Sequence, residues 1–229
     1  MMAPDALAVT RLLQLASPML PVGAYSYSQG LESAIETGLV SDEASARVWI
    51  SDVLCFSIAS FEAPLLWRLS GALIEDDYKL FVHWNAQFRS GRETAELRAE
   101  TLQMGHALRV LMEDLPLTNA VDLKRLNEIA ALTFPAAFSF AAHGMGVDRH
   151  NALVGYVWSW LENQVMAALK AVPLGQSAGQ RLLAELAGNV AQIARSATTL
   201  ADDDLSNFAP GLAIASCRHE TQYSRLFRS

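Results

Sequence analysis

Proline and glycine interrupt this sequence at short intervals, and the stretches between them carry apolar residues at helical spacing. Spacings of three and four place such residues on one face of a helix. The clearest stretch starts at Asp148 and ends before Pro173, and its apolar residues are Leu153, Val157, Trp160, Leu161, Val165 and Leu169. No segment shows the two-residue period of a strand or a hairpin dipeptide such as Asn-Gly. The sequence therefore predicts an all-α fold.

The proline and glycine positions divide the chain into about eight to ten helices within one domain spanning residues 1–229. The expected helices cover residues 6–16, 26 or 28 to 36, 41–64, 76–89, 93–112, 122–132, 135–142, 148–172 and 177–200. Ser41 is the expected N-cap of the third helix, which must kink or restart near Pro64. Cys55 lies within an apolar helical pattern and is expected to be a small core residue. Pro210-Gly211 marks a further break before the C-terminal end.

The composition is unusually apolar, with 52% hydrophobic and 18% charged residues, against about 25% charged in an average chain. Residues 12–31 and 129–147 carry no charge and approach the roughly 20 residues of a spanning helix. Both are interrupted by proline and glycine, so neither is expected to cross a membrane. The N-terminus does not resemble a signal peptide, and a net charge of −7 without a basic block argues against nucleic-acid binding. We interpret the chain as cytoplasmic, with wide surfaces that contact partners.

Sequence motifs for catalysis are missing. The chain contains no phosphate loop, no Gly-x-Gly-x-x-Gly and no Gly-x-Ser-x-Gly, which argues against nucleotide hydrolysis, dinucleotide binding and hydrolase chemistry. The five histidines never occur as His-x-x-x-His, and the single close pair of soft ligands, Cys217 and His219, does not make a metal site. We therefore expect a protein that is not an enzyme, with no cofactor and no metal site. Glu32 and the group Arg89, Arg92 and Glu93 at a helix junction are charges in apolar surroundings. They fit either helix capping and salt bridges on a solvated face or contact with a partner.

The C-terminal tail, residues 218–229, is rich in residues that anchor interfaces. Chain ends are usually polar and featureless unless something binds them. The tail residues of interest are His219, Glu220, Gln222, Tyr223, Arg225, Leu226 and Phe227. From these residues alone, the tail docks either on the core of its own chain or on a partner, and the first is the more general behaviour of ordered termini.

Five segments in the same order resemble one family, the urease accessory protein UreF family. They are LASPMLPVGAYSYSQGLE (15–32), RET (92–94) with QMG (103–105), FPAAF (134–138), VPLGQ (172–176) with GQ (179–180), and the ending 219–229. The resemblance covers nearly the whole chain. It implies an all-α, usually dimeric protein without catalytic chemistry of its own.

The resemblance also implies partners. A member of this family bridges a UreD/UreH-type accessory protein on apo-urease with UreG, a GTPase that carries nickel, and so supports nickel insertion in the cytoplasm. The tail is then expected to dock on the UreD/UreH-type partner rather than on its own core. Nickel binding is expected of the assembly, and no ligand for it is assigned in this chain. The residues expected to contact partners are Tyr25, Gln29 and Glu32 near the N-terminus and the seven tail residues named above.

Two other roles stay open. Arg225 or Glu32 could enter the active site of the GTPase, as an activating protein does. Alternatively, polar residues between helices could let nickel pass through the chain, although clustered histidine, cysteine or carboxylate ligands are lacking in the sequence.

Overall fold

The computed structural model describes residues 6–115 and 117–229, and within them every regular element is helical. The α-helices are α1 (Ala6–Ala16), α2 (Leu31–Glu36), α3 (Glu43–Val53), α4 (Ala63–Ile74), α5 (Tyr78–Ser90), α6 (Ala95–Asp114), α7 (Ala120–Asn127), α8 (Phe134–Gly144), α9 (Arg149–Ala171), α10 (Gln176–Ser196) and α11 (Pro210–His219). A π-helical segment, Leu54–Glu62, joins α3 to α4 without a break. Counted as continuous rods, the described helices number ten, and the predicted all-α bundle is confirmed.

Helix α8 lies at the centre of the bundle. It packs against α4 and α6, while α9 packs against α10 and α1. Every residue from Pro135 to Ala142 is buried, and small residues allow close neighbours. A Cβ on Gly105 of α6 would stand only 2.3 Å from the carbonyl oxygen of Leu132. Gly105 is therefore required for α6 to approach the chain that leads into α8.

The N-terminus of α3 corrects one prediction. Asp42, not Ser41, is the N-cap, because its carboxylate accepts a hydrogen bond from the amide of Ser45 at 2.8 Å while the Ser45 hydroxyl accepts one from the amide of Asp42 at 3.1 Å. This capping box satisfies two backbone donors at once. An acidic side chain at this position also interacts favourably with the helix dipole, which a serine cannot do.

The π-helical segment explains a second correction. The restart expected near Pro64 is confirmed, since regular α-helix resumes at Ala63. Cys55, however, is exposed rather than part of the core. A π-helix has i→i+5 hydrogen bonds and hence more residues per turn than an α-helix. The apolar stripe shifts accordingly, and Cys55 and Phe56 face outwards while Ser57 and Glu62 are buried.

The continuous rod Glu43–Ile74 has the length and apolar composition of a membrane-spanning helix. Within the bundle, 56% of its most apolar window is buried against other helices of this chain. Core helices of folded domains commonly have this composition.

Candidate functional site

The N-terminal and C-terminal segments singled out in the sequence meet at Glu32, near the start of α2. Its side chain is 6% exposed. One carboxylate oxygen accepts a hydrogen bond from the amide of Leu226 at 2.6 Å, and the other accepts one from the amide of Phe227 at 2.9 Å. Hydrogen bonds to an ionised carboxylate are about twice as strong as neutral ones. Glu32 therefore holds the backbone of the tail directly.

Three more side chains complete this arrangement, and we call Glu32, Glu96, His219 and Arg225 the clasp. His219 is fully buried between the two carboxylates, with Nε2 at 3.0 Å from Glu32 and Nδ1 at 2.8 Å from Glu96. Arg225 donates from Nη1 to the second oxygen of Glu96 at 2.9 Å. The clasp thus links α2, α6, α11 and the tail through side-chain hydrogen bonds.

Phe227 anchors the tail by apolar contact. Its ring is buried in a cluster of small and branched side chains, with the ammonium of Lys170 at 4.8 Å from the ring centroid. The other buried members of this cluster are Leu31, Ala34, Val40, Ala46, Ala167, Ala168 and Val172. Burying a phenylalanine side chain contributes about 1.5–3 kcal/mol. This contact adds to the hydrogen bonds of the clasp.

The last residues run beside the loop that precedes α2. The amide of Arg228 donates to the carbonyl of Ser26 at 2.7 Å, and the amide of Ser28 donates to the carbonyl of Ser229 at 2.7 Å. The Ser229 hydroxyl donates to the carboxylate of Glu100 at 2.9 Å. The tail is therefore bonded along its length, from the clasp to a carboxylate on α6.

Gln29 connects this region to the interior. Its backbone has a φ of +52°, which is unfavourable for a residue with a side chain. Its amide group is held at both ends: Nε2 donates to Glu100 at 2.6 Å, and Oε1 accepts from the indole of Trp160 at 2.7 Å. These two buried bonds fix the turn that presents Ser28 to the tail.

A second charged cluster lies deeper, where Arg92 forms a hydrogen-bonded salt bridge with Glu62. The Tyr156 hydroxyl donates to the other Glu62 oxygen at 2.8 Å, and burial raises the pKa of that hydroxyl well above its usual value. Arg92 is 2% exposed, so the interpretation of a solvated face is wrong for it, as it is for Glu32. Arg92 is paired with Glu62, and Glu32 is hydrogen-bonded to His219 and to two amides of the tail.

Burial raises the pKa of Glu100 to about 7, and the positive charge of Arg92 offsets this only in part. Sequence reasoning missed Glu62, Glu100 and Tyr156 entirely. One signal was available for Glu100, because it shares a helical face with the buried residues Leu97 and Met104. A charge on the apolar face of a helix indicates a buried partner.

A cavity of about 70 Å³ lies between residues 15–25, α6 and α9, and Glu62, Glu100 and Gln29 contribute to its wall. The carboxylate oxygens of both glutamates already have hydrogen-bond partners. In the part of the chain that the structure describes, no group of three or more histidine, cysteine, aspartate or glutamate side chains could hold a metal ion. The carboxylates of Glu62 and Glu100 on the cavity wall are thus engaged within the chain.

The predicted partner-binding residues divide into an inward and an outward set. Gln29, Glu32, His219 and Phe227 are buried in contacts within the chain, Gln222 is half-buried, and Tyr25, Glu220, Tyr223, Arg225 and Leu226 are exposed. The tail of the isolated chain therefore docks on its own helices, which was the more general of the two expectations from the residues alone. Contact of either set with a partner stays a prediction.

Comparisons with known proteins agree with the resemblance seen in the sequence. A family model described as UreF matches residues 40–187. The chain belongs to the UreF family. It is 55% identical over 225 residues to the urease accessory protein UreF of Azoarcus sp. (strain BH72), covering 97% of this chain and 96% of that protein. The UreF proteins of Dechloromonas aromatica and Janthinobacterium sp. are 52% and 50% identical, and the matches cover 97% and 98% of this chain and 98% and 100% of theirs.

Proposed function

We propose that this UreF-family chain is a non-catalytic urease maturation protein that bridges a UreD/UreH-type accessory protein with the GTPase UreG, and so supports nickel insertion into apo-urease. Near-full-length identity of 50–55% to proteins named urease accessory protein UreF supports this role most directly. We further propose that the chain works in the cytoplasm as a homodimer. These roles require binding surfaces rather than catalytic groups.

The outward face of the tail supports a docking role. Tyr223 is fully exposed and Leu226 is 59% exposed, although the residues on either side of Leu226 are held by Glu96 and Glu32. Large apolar side chains on a fixed backbone lose little conformational entropy on binding. Tyr25 is also exposed. It directly precedes Ser26, whose carbonyl accepts the hydrogen bond from the amide of Arg228 in the tail. We assign Tyr25, Tyr223 and Leu226 to the surface that meets the UreD/UreH-type partner.

The double variant Tyr223→Ala/Leu226→Ala tests this assignment. It should abolish co-purification with the UreD/UreH-type partner and leave the melting temperature unchanged, because neither side chain is buried. The matched control is Ile74→Ala/Phe208→Ala, which removes similar side chains that are 60% and 75% exposed elsewhere on the chain. Retention of the complex by the control alone would support the assignment. Retention by the tail variant would overturn it.

The alternative of an inserted catalytic group gains no support from the geometry. Glu32 is buried and binds two tail amides. Arg225 binds Glu96 and also donates to the carbonyls of Gln222 and Glu220. Neither group is free to enter the active site of another protein unless the tail first leaves its place.

A further inference from the structure

The cavity between residues 15–25, α6 and α9 has a buried cation with open hydrogen-bond donors on its wall. Arg92 lines the cavity and is 2% exposed. A guanidinium carries five N–H donors in one plane. Among the described residues, only Nη1 of this guanidinium has a hydrogen-bond partner, the carboxylate of Glu62, and Nε is buried without one. A buried donor without an acceptor is unfavourable, so the cavity is the place for an acceptor that the chain itself does not supply.

The size and the wall of the cavity limit what can fill it. A buried water needs at least about 10–15 Å³, so a cavity of this volume holds about five atoms of that size. Its wall includes the buried Arg92 and also Tyr25, which is 62% exposed. Most of the remaining wall is apolar, and its large apolar side chains include Leu15, Leu20, Val22, Phe88, Met104 and Phe134. A molecule that fits therefore has a short apolar part and one polar end.

The charges around the cavity favour a neutral ligand. Three glutamates line it, Glu62, Glu100 and Glu162, against the single arginine Arg92. An anion would accept from Arg92 but would also approach these carboxylates, which repel it. A cation offers no acceptor to Arg92 and is repelled by its charge. A neutral acceptor avoids both penalties.

The two most buried glutamates add a requirement for a donor. A carboxylate oxygen has two lone pairs and can accept two hydrogen bonds. Glu62 accepts one bond at each of its oxygens, and so does Glu100. Acceptor capacity therefore remains on the same wall as the open donors of Arg92. A primary amide carries a carbonyl oxygen and an NH2 group in one plane, so it complements both kinds of group.

We propose that this cavity binds a primary amide on a short apolar stem, with the amide oxygen accepting from the guanidinium of Arg92 and the NH2 group donating to Glu62 or Glu100. Such a group belongs either to a free small amide or to a glutamine or asparagine side chain of a partner protein. The second source rests on the proposed function, because Tyr25 lines the cavity and belongs to the surface assigned to the UreD/UreH-type partner. The amide site itself is independent of it.

NMR of the full-length chain with three molecules of nearly the same shape tests the site: propanamide, propanoate and propanamidinium. We expect propanamide to cause saturable shifts of the Arg92 Nε–H and the Trp160 indole N–H, since both side chains line the cavity. Propanoate and propanamidinium should bind at least about tenfold more weakly, because each loses a hydrogen bond and gains a like-charge contact. The indole of Trp67, which does not line the cavity, is the internal control. Propanamide that binds no better than the two ions would overturn the proposal.

A cavity-filling variant locates the binding. Ala24 lines the cavity, and the matched control Ala107→Leu enlarges a partly buried alanine that does not. Ala24→Leu should abolish the propanamide shifts, and the control should keep them. Propanamide binding that survives in a folded Ala24→Leu chain would overturn the assignment to this cavity. Should Ala24→Leu fail to fold, the comparison of the three molecules on the unmodified chain still decides whether a neutral amide is selected.

Co-purification of the same two variants with the UreD/UreH-type partner distinguishes the two sources of the amide. Loss of the complex in Ala24→Leu but not in Ala107→Leu identifies a side chain of the partner. Retention of the complex in both identifies a free small amide. If the unmodified chain does not bind this partner, the proposed function fails, whereas the propanamide measurement still tests the site.

Discussion

The carboxylates of Glu62 and Glu32 are almost equally buried, at 2% and 6% exposure, yet they bind partners of different kinds. Glu62 pairs with the side chain of Arg92, in the buried connection between α5 and α6, and with that of Tyr156 on α9. Glu32 binds His219 and the backbone amides of Leu226 and Phe227 in the tail. The first cluster can open only if helices separate. The second can open by local release of a short segment, which costs less than global unfolding.

The largest expected effect comes from breaking the ion pair between Glu62 and Arg92. Arg92→Met should lower the free energy of unfolding by about 3–5 kcal/mol, because it leaves the negative charge of Glu62 buried without a positive partner. Urea denaturation monitored by circular dichroism measures this change. A loss below about 1 kcal/mol would contradict the view that Arg92 neutralises a buried carboxylate.

The matched control for this variant is the double change Glu62→Gln/Arg92→Met. It removes both charges and keeps an amide oxygen as acceptor for the Tyr156 hydroxyl. A buried ion pair can often be replaced by uncharged groups at little cost. The double variant should therefore recover a substantial part of the stability that Arg92→Met loses.

The smallest expected effect lies at the outer edge of the clasp. The side chain of Arg225 is 33% exposed, so Arg225→Gln should change the free energy of unfolding by less than about 1 kcal/mol, as for other exposed ion pairs. The same urea titration checks it. A loss as large as that of Arg92→Met would show that the two clusters do not differ in the way described.

Local signals explain how much of the fold could be predicted from sequence. The bounds of α1 match the prediction, and the long helix expected from Asp148 is α9, which Asp148 caps by accepting bonds from the amides of His150 and Asn151. Caps and proline positions act within a few residues, so they can be recognised without tertiary structure. One such signal predicts the wrong structure: Pro210-Gly211 indicates a break, whereas Pro210 lies in the first turn of α11, where its missing N–H costs nothing.

The contacts of the candidate site depend on distant residues. Glu62 and Tyr156 are 94 positions apart, and Glu32 and Leu226 are 194 apart. The pattern of the sequence shows that Glu32 and the tail are unusual but not that they meet. Phe227 is buried and Leu226 is exposed because of the path that the tail takes across α2. No local spacing in the sequence predicts that path.

The most direct test of this account compares amide exchange at Leu226 and Phe227 in the unmodified chain and in Glu32→Gln at one fixed pH. Glutamine removes the charge and one of the two acceptor oxygens while keeping the size of the side chain. Hydrogen bonds to a charged group contribute about 1.5–3 kcal/mol, so the variant should lose at least about tenfold in protection, with α8 amides unchanged. If both amides of the unmodified chain exchange at the rate of an unstructured peptide, or if the variant protects them equally well, Glu32 does not hold the tail and the account is contradicted.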